Sequence, residues 1–256
     1  FVVERWLEGL LLRRADGINI VSERWRQRLV ADHPELDPAR TTTITNGFDL
    51  ATLPPMEELR GQRRDDGKFR IVHTGKFYDT YGSAHRSPLS AALKTMHAAT
   101  LGWLQYKPIE VDNSTARPTY LLRSLKLLRD RDPEAASRIE VEFIGRTHPR
   151  VKAQIESLGL TDMVKLAGFL PHDVCLKRMF TADLLFLPFC RYTDGRPMDW
   201  LPLKLYEYML SGKPVLAAVS ESSIMEFLRE AGTGIQVAQD DPAAIAATLA
   251  DLLEQH

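Results

Sequence analysis

Residues 183–219 read DLLFLPFCRYTDGRPMDWLPLKLYEYMLSGKPVLAAV. Leu184-Leu185-Phe186-Leu187 is continuously apolar and halts at Pro188. A strand with no polar alternation is covered on both faces, as in a parallel sheet flanked by helices. A Gly/Pro-rich loop follows. A helix from Leu203 to Leu210 then stops at Gly212, and Pro214 to Val219 reads as the next strand. This strand–loop–helix–strand unit sets the reading of its surroundings.

Upstream the same grammar repeats. Phe69 to His73 is a strand ending at Gly75, and Tyr120 to Leu128 a helix with Leu121, Leu122, Leu125 and Leu128 on one face. Ile139 to Ile144 is a strand before Gly145, Val151 to Leu158 a helix, Met163 to Ala167 a strand before Gly168, and Asp173 to Phe180 a helix. Downstream come a helix from Ser222 to Glu230 and a short strand from Gly234 to Val237. A last helix, opened by Asp241-Pro242 as N-cap and first helical position, runs to Leu253. Strands alternating with helices specify an α/β, Rossmann-like parallel sheet with helices on both faces. In such sheets ligands sit at the carboxyl ends of the strands. That points at the segments after His73, Ile144, Leu187 and Val219.

The first fifty residues read as helix (Val2 to Leu12), strand (Ile18 to Val21), a helix capped by Ser22 (Glu23 to Val30) and a strand (Thr41 to Thr45), with Asn46-Gly47 as a turn. Residues 54–67, rich in Pro, Glu and Arg, read as a linker. Residues 80–116 interrupt the alternation as an insertion on the ligand-facing edge, with a helical piece near Ser90 to Leu101. The chain opens at Phe1 inside a helical pattern, which suggests a fragment or a processed chain.

Composition narrows the classes. The 256 residues are 44% hydrophobic and 26% charged, with a formal net charge of −1. That is ordinary for a globular protein and carries no nucleic-acid signature. Cys175 and Cys190 lie in no metal or redox spacing and read as free thiols of a reducing cytoplasm. No apolar run approaches a membrane span. Asn113-Ser114-Thr115 is a glycosylation sequon read as chance, and His73, His148 and His172 as structural or exposed.

Chemistry concentrates between Asp194 and Val219. The N-terminus of the helix at Leu203 offers free amides and a positive dipole end, which suit a diphosphate. Glu207 lies about one turn into that helix. One carboxylate can accept from both hydroxyls of a ribose, although a solvated helix residue fits its spacing equally well. Asp199, in the loop eight positions earlier, is placed to bond a hexose hydroxyl.

Pro202-Leu203-Lys204-Leu205-Tyr206-Glu207-Tyr208-Met209-Leu210-Ser211-Gly212-Lys213-Pro214-Val215 resembles the signature of the retaining "group 1" glycosyltransferases, a family-four-like group with two facing Rossmann-like domains (the GT-B fold). Other pieces follow in the family's order. Arg14 to Ser22 and Thr43 to Asp49 look like the end of the acceptor domain. Val72-His73-Thr74-Gly75-Lys76-Phe77-Tyr78 resembles the opening of the donor domain, and Glu142 to Gly145, Val164 to Leu170, Ala182 to Pro188 and Gly232 to Gly234 complete it. The resemblance implies an acceptor-domain remnant at 1–53, the linker at 54–67 and a nucleotide-sugar donor domain at 68–256.

It also implies roles. Glu207 matches the second acidic residue of the family's E-x7-E element, which holds the ribose. Asp199 stands where the family has a Glu that contacts the transferred sugar, one methylene short. Lys76 and Arg117 match the two basic residues that neutralise the leaving diphosphate, with Arg86 as rival to Arg117. Lys204 faces phosphate or solvent. Gly75, Gly145 and the backbone amides of Leu201, Pro202 and Leu203 line the donor site. Fixed cations at a breaking glycosidic bond lower the barrier as charge gathers on the diphosphate. The resemblance calls for no bound metal and no cofactor besides the nucleotide-sugar substrate, and for a glycan, lipid or small-molecule acceptor. The Trp6/Leu7/Leu10/Leu11 face reads as packing inside a domain. Peripheral contact with the inner membrane face is the alternative that relatives suggest. Alternatives to transfer are a GT-B phosphorylase or epimerase, and a truncated nucleotide-sugar-binding module.

Overall fold

The computed structural model describes residues 2–60, 66–77 and 110–256. The expected helical piece near Ser90 to Leu101, most of the insertion at 80–116 and Arg86 lie outside them. Up to residue 45 the described chain forms one unit. It comprises α1 (Val2–Arg14), β1 (Ile18–Ile20), α2 (Glu23–Asp32) and β2 (Thr41–Thr43), with β1 parallel to β2 and Ile18 beside Thr41. The Ser22 hydroxyl accepts from the Trp25 amide at 3.3 Å, the N-cap expected for α2. Arg26 ties α2 to β2 by donating to Glu23 at 2.6 and 2.8 Å and to the Thr41 hydroxyl at 3.1 Å. Of the Trp6/Leu7/Leu10/Leu11 face, Trp6, Leu7 and Leu11 are exposed and Leu10 is half-buried.

Asn46-Gly47 forms no turn. The two-residue hairpin turn that this pair favours needs antiparallel strands and positive φ. Here Asn46-Gly47 follows β2 (Thr41–Thr43), and Gly47 is not among the positive-φ glycines.

Residues 46–77 and 112–256 form the second unit. Its elements are α3 (Met56–Leu59), β3 (Phe69–Thr74), α4 (Thr119–Arg131), α5 (Pro133–Ser137), β4 (Ile139–Ile144) and α6 (Pro149–Ser157). They continue with β5 (Val164–Gly168), α7 (His172–Phe180), β6 (Leu184–Pro188), α8 (Leu203–Ser211), β7 (Val215–Ala218), α9 (Ser223–Glu230), β8 (Gly234–Val237) and α10 (Pro242–Glu254). The stretch expected to be a linker contains α3. Leu59 there is fully buried, and Glu58 pairs with Lys177 of α7 at 3.6 Å.

The six strands are parallel in the order β5-β4-β3-β6-β7-β8. This is the doubly wound order in which the chain reverses direction across the sheet between its first and fourth strands, β3 and β6. Ile71, Val141, Phe143, Leu184, Phe186 and Leu216 pack on one face with Leu121, Leu125, Ile155, Ile245 and Leu249 of α4, α6 and α10. Alternate residues Val72, Leu185, Leu187, Val215 and Ala217 point to the other face. There α7, α8 and α9 bury Leu176, Met179, Leu205, Tyr208, Ile224 and Leu228. Every residue of β6 is buried, as its unbroken apolar run predicts. Gly212 ends α8 at φ +65°, and the Asp241 carboxylate caps α10 through the amides of Ala243 and Ala244.

Candidate active site

Strands β3 and β6 pair only through Ile71 with Leu184 and Val72 with Leu185, so they part toward their carboxyl ends. A buried hydroxyl bridges the fork. Tyr208 of α8 accepts from the Thr74 amide at 2.9 Å and lies 3.4 Å from the Phe186 carbonyl, to which it donates. Burial pushes its phenol up to about 12, so it stays protonated and able to donate. Tyr208→Phe would leave the buried Thr74 amide unsatisfied. A stability loss of about 1–3 kcal/mol is expected by chemical denaturation.

The opening of this fork is the crevice that doubly wound sheets use for ligands. Two glycines make room for it. Gly145 adopts φ +133°, and a Cβ there would stand 2.5 Å from the Gly75 carbonyl oxygen. Gly75 adopts φ +101°, and a Cβ there would stand 3.0 Å from Lys204 Nζ. The loops after β3 and β4 thus touch backbone to backbone, and the Lys204 ammonium lies over Gly75.

His73 lies beneath Lys204. Its Nδ1 donates to the Phe186 carbonyl at 2.9 Å and its ring stacks on Phe77, with centroids 4.2 Å apart. Burial, then the Lys204 charge, push this imidazole well below its usual value, so it is neutral. Its Nε2 therefore carries a lone pair, 3.5 Å from Lys204 Nζ. Burial also pulls Lys204 down to about 8, against the opposing attraction of Glu207. Lys204 is therefore not a solvated lysine but a cation withdrawn from water at the carboxyl end of β3.

Glu207 stands one turn along α8, and His172 Nε2 approaches its Oε1 at 2.7 Å. It is not the free, solvated residue that spacing alone allowed. Gly75, Gly145, Lys204 and Glu207 thus gather around one crevice. Lys76 is exposed immediately after Gly75.

Arg117 sits on the turn before α4, its charge facing Asp112. Burial alone would raise the Asp112 carboxyl, but hydrogen bonds from Ser114 and the charges of Arg191 and Arg117 hold it below its usual value. Residues 112–117 are tied to the segment that follows β6. The Thr115 hydroxyl donates to the Phe189 carbonyl at 2.9 Å, and Arg191, 3.6 Å from Asp112, reaches Asp240 at 2.6 Å. Arg117 thus lies near the segment that follows β6, with an acidic group, Asp112, facing its charge.

The loop after β6 is more ordered than a Gly/Pro-rich loop suggests. Residues 191–197 form a small hairpin, with Tyr192 and Arg196 bonded at 3.0 Å, Arg191 bridged to Pro197 and Gly195 at φ +83°. Asp194-Gly195 is the turn signal that announces it. Met198 and Leu201 are buried and anchor the run into α8, with half-buried Asp199 between them. Pro202 is the N-cap of α8 with no side-chain cap. One expectation needs correcting: Pro202 has no amide hydrogen, so Leu201 and Leu203 alone of that trio can donate. Leu203 is exposed at the helix start. The residues missed from sequence are Tyr208, which no motif distinguishes from a core aromatic, and the partner histidines His73 and His172.

Among the described residues no group of three His, Cys, Asp or Glu side chains could hold a metal ion, and no helix is long and apolar enough to cross a membrane.

The chain is similar to known proteins along its whole length. It is 27% identical to a D-inositol 3-phosphate glycosyltransferase of Streptomyces scabiei, over 92% of this chain and 57% of that protein. It is 32% identical to the amylovoran biosynthesis glycosyltransferase AmsK of Erwinia amylovora, over 41% of this chain and 25% of that protein. Among solved structures, Anabaena Alr3699/HepE in complex with UDP and glucose superposes with a TM-score of 0.60 at 18% identity, covering 98% of this chain and 57% of that one. TarM superposes with a TM-score of 0.61 at 14% identity, covering all of this chain and 40% of its own. The chain thus spans between a quarter and somewhat over half of these relatives, and shares the fold of GT-B glycosyltransferases. The family model described as "Glycosyl transferases group 1" matches residues 111–256, which contain β4 to β8 and all of α8. With more than half of its length so matched, this chain belongs to the glycosyl transferases group 1 family.

Proposed function

We propose that the second unit binds a nucleoside-diphosphate sugar in the crevice between β3 and β6. The complete protein would then transfer the sugar to an acceptor with retention of anomeric configuration. One observation carries this reading. A half-buried ammonium, Lys204, and a carboxylate, Glu207, stand one turn apart on the same helix at the switch point of the sheet. A cation at the helix start matches a diphosphate, and a carboxylate one turn on matches the ribose hydroxyls. The names of the relatives and the UDP-bound neighbour support the same ligand class.

Each residue then has a task. Glu207 accepts from the ribose. Lys204, Lys76 and Arg117, with the Leu201 and Leu203 amides, counter the charge that gathers on the leaving diphosphate. Gly75 and Gly145 keep the two loops low enough for the phosphates to approach. Asp199 accepts from the transferred sugar. The reaction is transfer from phosphate, not hydrolysis between two flanking carboxylates, because the carboxylate of Glu207 is engaged by the nucleotide.

The reading is tested by titrating the chain with UDP-, GDP-, ADP- and dTDP-glucose. Binding of one nucleotide class is expected, and a folded chain that binds none would refute it. Retention is checked by NMR on the product of the complete protein, whose new anomeric centre should match that of the donor.

The Lys204 ammonium gives a pH signature. A lysine whose folded value is about 8 and whose ordinary value is 10.5 loses its proton in the folded state first. Between these values the unfolded chain binds more protons, so this group adds stability as pH rises. Binding moves the opposite way. Nucleoside-diphosphate affinity is expected to fall as pH rises through about 8, and Lys204→Arg, which keeps its charge, to flatten that fall.

A further inference from the structure

The proposed role of Glu207 leaves open what holds its carboxylate in place before a nucleotide arrives. His172, read from sequence as structural or exposed, is the residue that meets it. Its Nε2 lies 2.7 Å from Glu207 Oε1, although 35 positions separate them. An ionised carboxylate only accepts, so Nε2 carries the hydrogen in this contact.

Both partners stand on anchored elements. His172 opens α7, whose Leu176, Met179 and Phe180 are buried, and Cys175 Sγ reaches back to the Leu170 carbonyl at 3.6 Å. Glu207 is flanked on α8 by Tyr206 and by Tyr208, which is locked to Thr74 and Phe186. The glutamate itself is a three-torsion side chain on a half-exposed surface, where an unheld carboxylate samples several rotamers and must be ordered again at each binding event. The side chains of Glu207 and His172 keep 27% and 59% of their exposure. An ion pair that open contributes little to folding. Its consequence lies in where Oε2 points.

We propose that His172 is a positioning residue for ribose recognition: it takes one oxygen of Glu207 and presents the other, already ordered, to the vicinal hydroxyls of the nucleotide. This rests on the reading of Glu207 as the ribose ligand. Orienting the acceptor before binding removes an ordering cost from the association step. Its effect is confined to ligands that carry the ribose hydroxyls.

The test is a set of calorimetric titrations with UDP, GDP and ADP, then with the 2′,3′-dideoxy form of whichever binds. They use the unaltered chain, His172→Ala, His172→Gln, Glu207→Ala and the double variant, each checked for folding by circular dichroism. His172→Ala should weaken binding of the ribonucleotide by about tenfold, the loss expected for one oriented charged hydrogen bond. His172→Gln, whose amide can donate in the same place, should recover most of it. The loss should vanish for the dideoxy ligand and in the Glu207→Ala background. If Glu207→Ala weakens binding and His172→Ala does not, the pair is only a surface contact and the proposal fails while the donor reading stands. An equal loss for the dideoxy ligand would place His172 on the base or phosphate and also overturn it. If Glu207→Ala itself changes nothing, the ribose assignment fails first.

Discussion

Gly145→Ala is expected to destabilise the second unit by about 2–5 kcal/mol, the combined scale of backbone strain and overpacking. Two independent penalties meet at this position. Its φ of +133° lies where side chains are rarely accommodated, and the new Cβ would stand 2.5 Å from the Gly75 carbonyl oxygen and 2.8 Å from its carbonyl carbon. Neither obstacle is a flexible side chain. The Gly145 amide is also bonded to the Gly168 carbonyl at 2.7 Å, and the Gly75 amide to the Ile144 carbonyl at 2.8 Å, so neither loop can retreat freely. Gly75→Ala makes the useful contrast. It shares the positive φ, but its Cβ meets the tip of Lys204, which can swing away. Gly75→Ala should therefore cost less in denaturant midpoint and show its effect in ligand affinity. Urea denaturation of the two variants, followed by nucleotide titration, separates them.

Glu207→Ala is expected to weaken nucleoside-diphosphate binding by roughly 100-fold or more, with a change in stability of no more than about 0.5 kcal/mol. Hydrogen bonds to a charged group are worth about 1.5–3 kcal/mol each, and two hydroxyls are lost together. Stability moves little because the hydrogen-bond partner of Glu207, His172, is itself exposed, and open ion pairs contribute about 0–1 kcal/mol. The separation matters, since a variant that lost affinity by unfolding would not speak to the site. Calorimetry for binding and thermal unfolding for stability, run on the same samples, provide it. Loss of stability with unchanged affinity in the folded fraction would remove Glu207 from the ligand.

The framework was legible where chemistry is local. The apolar run Leu184 to Leu187 announces a strand buried on both faces, and all of β6 is buried. Gly212 and Asp241 mark a helix end and a helix start, because the αL turn and the side-chain cap each use one residue and its neighbours. Gly75 and Gly145 sit at strand ends in the text, yet their mutual contact depends on β3 and β4 being neighbours, which no single segment records. The strand order is likewise set by crossovers. Parallel alternation says that a sheet exists, not which strand lies at its middle.

The site divides along the same line. Lys204 and Glu207 were visible because they share one helix start. Their partners were not. His73 becomes a neutral acceptor under Lys204 only when burial and the Phe186 carbonyl hold its ring, and His172 reaches Glu207 only when α7 and α8 pack side by side. The family resemblance implies a diphosphate role for Arg117. In the structure its charge faces Asp112, so its share of phosphate binding is a matter for substitution.

The most direct test of the account is a crystal structure of the chain with the nucleoside diphosphate that the titrations select. The account predicts ribose hydroxyls on the Glu207 carboxylate and the diphosphate beside Lys204 Nζ and Gly75, at the carboxyl ends of β3 and β6. A nucleotide seated instead in the groove of about 620 Å³ between α4 and α10, against Leu127, Arg131 and Ala247, would contradict it.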